Sequence, residues 1–206
     1  MEATARLIAL RQRQRRTGQA SFFYYDYGFN TEAVKVLPGE YFVYDEDIVL
    51  MTVLGSCVAA CLCDRGVGVG GMNHFLLPDG GDSSARYGVN AMEILINELL
   101  KNGARRSSLE AKIFGGGAVI QGLTSIDVGG QNVKFVEAFL ASERIPIVSR
   151  DVLSNCARKV CLFPRSGKAM VKKLATQSDP TLIAQERSYL RSVQTTGSRA
   201  GEVELF

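Results

Sequence analysis

Cys57 and His74 are the residues of this chain whose types and spacing could support nucleophilic chemistry. His74 is the only histidine and follows Cys57 by seventeen residues, with apolar segments between them and the turn-prone pair Arg65-Gly66 midway. A hairpin that turns at Arg65-Gly66 would set Cys57 directly opposite His74, where paired Cβ atoms are about 4.5–5.5 Å apart. An imidazole at that distance can take the proton of a thiol, so the sequence predicts an activated cysteine nucleophile.

The pairing depends on the register of that hairpin, and each residue alone has a structural alternative. A slip of one residue would turn the two side chains to opposite faces, and the glycines at positions 68, 70 and 71 could host a bulge that causes it. Buried cysteines usually act as small hydrophobic residues, and histidines in apolar strands are commonly hydrogen-bonded core residues. Joint placement favours catalysis, because Gly55 and Ser56 precede the thiol and their backbone is a candidate oxyanion-binding element.

Composition indicates a soluble domain. Hydrophobic residues make up 46% of the 206 residues, and the mean hydropathy is +0.04. No apolar run approaches the roughly 18–20 residues that span a bilayer, and no apolar signal core follows the N-terminal basic residues, so we expect a cytoplasmic protein. A single histidine makes a closed zinc site hard to assemble, and we expect the remaining cysteines to pack in the core. They are Cys61, Cys63, Cys156 and Cys161.

Positive charge is concentrated in residues 1–20, which hold five arginines against one acidic residue, Glu2. The net charge of the whole chain is +3, so the remainder is nearly neutral. A basic segment can contact nucleic acid or an anionic surface, but no interleaved aromatic residues or recognition helix accompany this one. We therefore predict a basic, disordered arm over residues 1–20, a folded domain over residues 21–174 and a polar extension over residues 175–206.

The elements that must position Cys57 and His74 follow from periodicity and turn residues. Strand-like segments flank both residues, and glycines and short polar residues predict a loop over residues 79–88. A helix should follow from Asn90 to a stop at Gly103, and a second helix should have Asn132 as a candidate cap. The element order β-β-β-β-α-β-α-β-β-β predicts an α/β, single-domain layered sandwich with mixed, largely antiparallel sheets and two main helices.

Several strings taken together resemble the bacterial chemotaxis family CheD, over about residues 37–172. The resemblance implies an α/β sandwich and a cytoplasmic chemoreceptor glutamine deamidase, with Cys57 and His74 as catalytic residues and no cofactor. It implies chemoreceptors (methyl-accepting chemotaxis proteins) as substrates and the phosphatase CheC as a further partner, without nucleic-acid binding or membrane insertion. The strings are Leu54-Gly55-Ser56-Cys57-Val58-Ala59, Gly70-Gly71-Met72-Asn73-His74, Leu77-Pro78, Arg86-Tyr87-Gly88, Ala111-Lys112-Ile113-Phe114-Gly115-Gly116-Gly117 and Ile126-Asp127-Val128-Gly129.

The third catalytic position of the family departs from its pattern in this chain. A threonine six residues before the cysteine would fall on Met51, whereas Thr52 is one residue later. In a regular strand Thr52 and Met51 point to opposite faces, so a bulge would have to bring Thr52 to the position expected of Met51, or another group would orient His74.

Glutamine deamidation suits these residues. A Cys57 thiolate, its pKa lowered by His74, would attack the side-chain carbonyl, and the imidazolium would protonate the departing ammonia to leave a γ-glutamyl thioester. Water activated by the same histidine would then release glutamate. Two alternatives stay open. The same pair could serve another thiol acyl transfer, such as protein glutaminase or transglutaminase activity on a different target protein. Alternatively, the chain could be a non-catalytic adaptor that binds receptor helices or CheC while Cys57 only packs.

Overall fold

Two sheets build the protein, and helices cover one of them. The computed structural model describes residues 4–77, 82–118 and 127–174, together with Ala184 and Ser188. Most of the predicted C-terminal extension lies outside these residues. The described elements, in chain order, are α1 (Ala5–Gln12), β1 (Phe22–Asp26), β2 (Thr31–Lys35), β3 (Tyr41–Tyr44), β4 (Val49–Leu54), β5 (Val58–Asp64), β6 (Val69–Asn73), α2 (Asp82–Lys101), a 3₁₀ turn (Arg106–Ser108), β7 (Glu110–Gly115), α3 (Val128–Ser142), β8 (Ile147–Val152), β9 (Arg158–Phe163) and β10 (Lys168–Lys173).

The sheets have five strands each and are stacked. The first has the order β1-β2-β4-β9-β10 and the second has the order β3-β6-β5-β7-β8. Among the described strands the pairs β2–β4 and β7–β8 are parallel and the other pairs are antiparallel. Helices α2 and α3 pack on the second sheet. This architecture confirms the predicted α/β, single-domain sandwich with mixed, largely antiparallel sheets.

β5 is the central strand of the core, because both of its faces are covered. All seven of its residues are buried. Even-numbered side chains from Val58 to Leu62 join the apolar cluster under α2 and α3, whereas odd-numbered ones, including Cys61 and Cys63, face the first sheet. Cys161 is also buried, and Cys156 is half-buried. The predicted packing in the core is therefore confirmed for Cys61, Cys63 and Cys161 but not for Cys156.

The N-terminal segment is ordered, so the prediction of a disordered arm is wrong for residues 4–20. Helix α1 begins after Thr4, whose side chain accepts a hydrogen bond from the Leu7 amide at 3.1 Å. Leu7 and Leu10 are buried in the apolar cluster between the sheets. Arg6 pairs with Glu32 at 3.3 Å. The two leucines lie on one helix face and bury enough apolar surface to dock a segment whose charge alone suggested solvation.

Helix α2 begins at Asp82, within the predicted loop over residues 79–88, so that prediction is wrong for residues 82–88. Gly88, the last residue of the predicted loop, lies inside the helix at a close contact. A Cβ at Gly88 would stand 2.6 Å from side-chain atoms of Leu77 and Phe135. The glycine therefore permits α2 to approach these residues and does not end a helix.

The hairpin of β5 and β6 has a register two residues away from the predicted one. Cys61 pairs with Met72 and Asp64 with Val69, so residues 65–68 form the turn. The Asp64 carboxylate accepts a hydrogen bond from the Gly66 amide at 2.9 Å, which stabilises this longer turn. The predicted direct pairing of Cys57 with His74 is therefore wrong. A shift by an even number keeps both side chains on the same face, as diagonal neighbours.

Arg158, at the start of β9, is the largest fully buried side chain among the described residues. Its guanidinium donates to the Asp151 carboxylate at 2.8 Å, to the Cys156 carbonyl at 3.0 Å and to the Leu153 carbonyl at 2.6 Å. Leu153 and Ser154 adopt positive φ angles of 62° and 69°. One arginine thus holds the strained loop at Leu153 and Ser154 beside Gly116 and Gly117, the glycine run that follows β7.

We predict that Arg158→Met lowers the free energy of unfolding by about 3 kcal/mol or more, because three acceptors lose their donor inside the fold. Arg150→Met, which breaks a 3.0 Å ion pair between Arg150 and Glu137 on the surface, should cost less than about 1 kcal/mol. Urea unfolding followed by circular dichroism measures both values. Equal losses in the two variants would contradict the role given to Arg158.

Candidate active site

His74 lies where β6 separates from β5 while staying paired with the chain before β3. The His74 amide donates to the Glu40 carbonyl at 2.9 Å, and the Gly39 amide donates to the His74 carbonyl at 2.7 Å. On the β5 side, the Asn73 side chain accepts from the Ala60 amide at 3.0 Å and takes the place of a backbone partner. Pairing with β5 resumes one residue after His74. The backbone of His74 is therefore fixed from both neighbouring strands.

Thr52 contacts His74 without any bulge in β4. This strand keeps one register against β9 from Leu50 to Leu54, and Met51 packs in a separate cluster on the outer face of the first sheet. Thr52 faces inward, where its Oγ1 lies 2.8 Å from His74 Nδ1. The bulge considered from the sequence is unnecessary, because in the regular strand the side chain of Thr52 points inward and that of Met51 points outward.

The hydrogen bonds of Thr52 select the tautomer of His74. A threonine hydroxyl has one proton to donate, and the Val36 carbonyl, 2.7 Å from Thr52 Oγ1, can only accept. The oxygen of Thr52 therefore accepts the Nδ1–H of His74, which also lies 3.4 Å from the Val36 carbonyl. Neutral His74 carries its proton on Nδ1, so Nε2 presents a lone pair.

Burial keeps His74 neutral. It lowers the pKa of the imidazole from 6.5 to about 4, against a smaller opposite effect of the hydrogen bond to the Val36 carbonyl. The Nε2 atom is buried and makes no hydrogen bond to the described groups. At neutral pH the ring is therefore a base with an available lone pair, and it carries no positive charge with which to stabilise a thiolate.

Cys57 lies just before β5, in a segment whose backbone is fixed at three successive carbonyl groups. The thiol faces the space between the sheets, the face that His74 also shares. Gly55 and Ser56, the predicted oxyanion-binding residues, immediately precede Cys57 in the chain. The three hydrogen bonds run from the Gly117 amide to the Gly55 carbonyl at 2.7 Å, from the Asn132 side chain to the Ser56 carbonyl at 3.0 Å and from the Gly116 amide to the Cys57 carbonyl at 2.8 Å.

The three predicted side chains are closed off from solvent. Cys57 is 0% exposed, Thr52 1% and His74 3%. In the part of the chain that the structure describes, no three His, Cys, Asp or Glu side chains are arranged to hold a metal ion. No described helix is long and apolar enough to span a membrane.

Asn132 is a site residue that the sequence did not indicate. It was expected to cap α3, but the cap is Asp127, whose carboxylate accepts from the Gly130 amide at 2.9 Å. Asn132 lies inside the helix and is fully buried. The available signal was an amide side chain on the same helical stripe as Val133 and Val136, where an apolar residue would be expected.

The candidate site therefore holds a buried thiol, an imidazole with its lone pair on Nε2 and a hydroxyl group that keeps the imidazole in one tautomer. Comparison with known proteins gives the family. A family model described as CheD chemotactic sensory transduction matches residues 76–173. Relatives about half identical to the chain extend that match over nearly its whole length. The chain belongs to the CheD family.

Three relatives illustrate the similarity. A probable chemoreceptor glutamine deamidase CheD 1 of Albidiferax ferrireducens is 54% identical over 206 residues, which cover 99% of this chain and 88% of the relative. A probable chemoreceptor glutamine deamidase CheD of Janthinobacterium sp. is 54% identical over 194 residues, which cover 91% of this chain and 95% of the relative. A probable chemoreceptor glutamine deamidase CheD of Methylobacillus flagellatus is 52% identical over 195 residues, which cover 91% of this chain and 96% of the relative.

We predict that folded His74 titrates near pH 4 and not near 6.5. Because it is the only histidine, isotope-labelled histidine gives one set of NMR signals, which also report the Nδ1–H tautomer. Between pH 6.5 and 4 the unfolded chain binds a proton that the folded chain does not, so stability is lost as the pH falls through this window. The free energy of unfolding should fall by about 3 kcal/mol over this window in the wild type, and this part of its pH dependence should be absent from His74→Asn. A folded-state midpoint near 6.5 would contradict this environment.

Proposed function

We propose that this protein hydrolyses glutamine side chains of chemoreceptors to glutamate in the cytoplasm, with Cys57 as nucleophile and His74 as general base and acid. The observation that carries the proposal is the hydrogen bond from His74 Nδ1 to Thr52, which leaves Nε2 unprotonated in a ring that shares a strand face with Cys57. The printed names of the relatives, probable chemoreceptor glutamine deamidases, supply the substrate class. Binding of CheC stays a prediction from the family resemblance.

The first half of the reaction forms a thioester. Nε2 of His74 accepts the thiol proton as the Cys57 sulfur bonds to the glutamine carbonyl carbon, and the carbonyl oxygen becomes an oxyanion. Collapse of this intermediate breaks the carbon–nitrogen bond, while the imidazolium returns its proton to the departing ammonia. A low pKa makes the imidazolium a strong acid, which favours this step because ammonia leaves poorly unless it is protonated.

The second half regenerates the enzyme. Water takes the place of ammonia, and His74 accepts a proton from it as its oxygen attacks the thioester carbon. Breakdown of the second intermediate releases glutamate, and the sulfur recovers a proton from the imidazolium. Thr52 touches neither reacting carbon nor sulfur in this scheme. It keeps the ring in one tautomer through both halves, so we assign it a positioning role.

The oxyanion binds to backbone amides at Ser56 and Cys57 in this proposal. In a planar trans peptide the N–H points away from the preceding carbonyl. The carbonyls of Gly55 and Ser56 are fixed toward the glycine run and α3, so the amides of Ser56 and Cys57 point to the opposite side. Losing one such donor typically raises the barrier by about 2.7–4 kcal/mol.

We predict that Cys57→Ala and His74→Ala abolish deamidation while the fold is kept. Receptor fragments incubated with the wild-type protein should gain about one dalton per converted glutamine, because OH replaces NH₂, and the variants should give no gain. Cys61→Ala is the matched control, since Cys61 is equally buried on the same strand face. Wild-type turnover by Cys57→Ala would overturn the proposal and favour a non-catalytic adaptor. Cross-linked product on addition of an amine would indicate a transferase.

Thr52 gives a separate prediction. Thr52→Val keeps the shape of the side chain but removes the acceptor for Nδ1–H. We therefore expect kcat for ammonia release to fall by about 10- to 100-fold, the range seen when groups that orient metal-ligating histidines are lost. Thr52→Ser retains the hydroxyl and should stay within a few-fold of the wild-type rate. A valine variant with the kcat of the serine variant would remove Thr52 from the site.

A further inference from the structure

Asn132 connects the segments that carry the two proposed catalytic residues. Its side-chain oxygen accepts from the Leu77 amide at 2.8 Å, and its side-chain nitrogen donates to the Ser56 carbonyl at 3.0 Å. Ser56 directly precedes Cys57, and Leu77 follows His74 by three residues. One amide on α3 therefore ties the chain before the nucleophile to the chain after the base.

The cost of placing this side chain here indicates a purpose beyond packing. Asn132 is 0% exposed, and an amide is a poor choice for the interior of a helix and for an apolar environment unless both of its polar atoms are hydrogen-bonded. Both are bonded here, and each bond goes to backbone outside α3. A leucine would pack under this helix without either bond, so the asparagine serves the two backbone segments and not the helix.

The bond to Ser56 acts on one particular peptide group. The peptide that carries the Ser56 carbonyl also carries the amide N–H of Cys57, which the proposed mechanism uses at the oxyanion. A donor on the carbonyl fixes the plane of this peptide and polarises it, so its N–H becomes a better-aimed and stronger donor. The carbonyls of Gly55 and Cys57 accept from the backbone amides of Gly117 and Gly116. Of the three donors to these successive carbonyls, Asn132 is the one that donates from a side chain.

We propose that Asn132 is a positioning residue for the deamidation reaction, holding the Ser56–Cys57 peptide in the orientation that stabilises the oxyanion and fixing Cys57 relative to the His74 segment. The inference rests on the proposed function for its effect on turnover. Its geometric part, the anchoring of the Cys57 segment, is independent of any substrate.

Turnover measurements test the catalytic part. Asn132→Ala should lower kcat by about 100-fold with little change in KM, because the lost interaction matters most when the oxyanion forms. Asn132→Asp is the isosteric variant. A protonated carboxyl can still donate to the Ser56 carbonyl and accept from the Leu77 amide, whereas an ionised one cannot donate. The deficit of this variant relative to wild type should therefore be smaller at about pH 6 than at about pH 8.5, since burial raises the pKa of the new carboxyl.

Alkylation by iodoacetamide tests the geometric part without substrate. In Asn132→Ala we expect alkylation of Cys57 to accelerate by about tenfold or more while turnover falls, with Cys61 and Cys161 as protected as in the wild type. Peptide mass spectrometry assigns each site. Leu140→Ala, at a buried position on the same helix, is the control for general loosening of α3. It should not expose Cys57 selectively and should leave kcat within a few-fold of wild type.

The outcomes separate this inference from the proposed function. A wild-type protein that releases no ammonia from receptor fragments refutes the proposed function, and the alkylation pattern still decides whether Asn132 holds the Cys57 segment. Wild-type kcat in both Asn132 variants, a deficit of Asn132→Asp that does not change with pH, or unchanged alkylation of Cys57 in Asn132→Ala would each overturn the inference. Equal exposure of all cysteines would also overturn it, because that pattern reports general unfolding.

Discussion

The hydrogen bond between Thr52 and His74 joins the two sheets, and the geometry of the site depends on it. Thr52 belongs to β4 of the first sheet, and His74 follows β6 of the second. Stacked sheets lie about 10 Å apart, so a hydrogen bond of fixed length between their inner faces constrains their local spacing. The apolar residues that pack between the sheets therefore set the position of the imidazole as well as the stability of the fold. A core substitution that changes this spacing should alter both.

Local patterns predicted much of the fold, and long-range contacts decided what they missed. The hairpin of β5 and β6 was recognisable from its apolar segments and turn residues. The register of β5 against β6 was not, because the Asp64 carboxylate accepts a hydrogen bond from the Gly66 amide and stabilises a longer turn. The docking of α1 depends on two leucines, a signal too short to outweigh five arginines when the sequence is considered alone.

The site shows the same division. Residue types and spacing selected Cys57 and His74 as candidates, since the single histidine follows a cysteine that Gly55 and Ser56 precede. Which of Met51 and Thr52 faces inward could not be decided, because the alternation along a strand fixes relative orientation only, and the second sheet defines the inside. The contacts of Asn132 could not be predicted for another reason. Its partners lie 76 and 55 residues away in sequence, and no local pattern reports a contact of that kind.

A neutral orienting group suits a base as deeply buried as His74. A carboxylate in the place of Thr52 would stabilise an imidazolium, but it would itself be a charge in an apolar interior, where an unpaired charge is costly. The hydroxyl group of Thr52 fixes the tautomer without adding charge, so the resting site holds a thiol and a neutral ring. In the proposed mechanism the imidazolium then exists only between thiol attack and ammonia departure. Its low pKa makes the first proton transfer harder and the second easier. For an amide this division is favourable, because expulsion of ammonia is the step that most needs an acid.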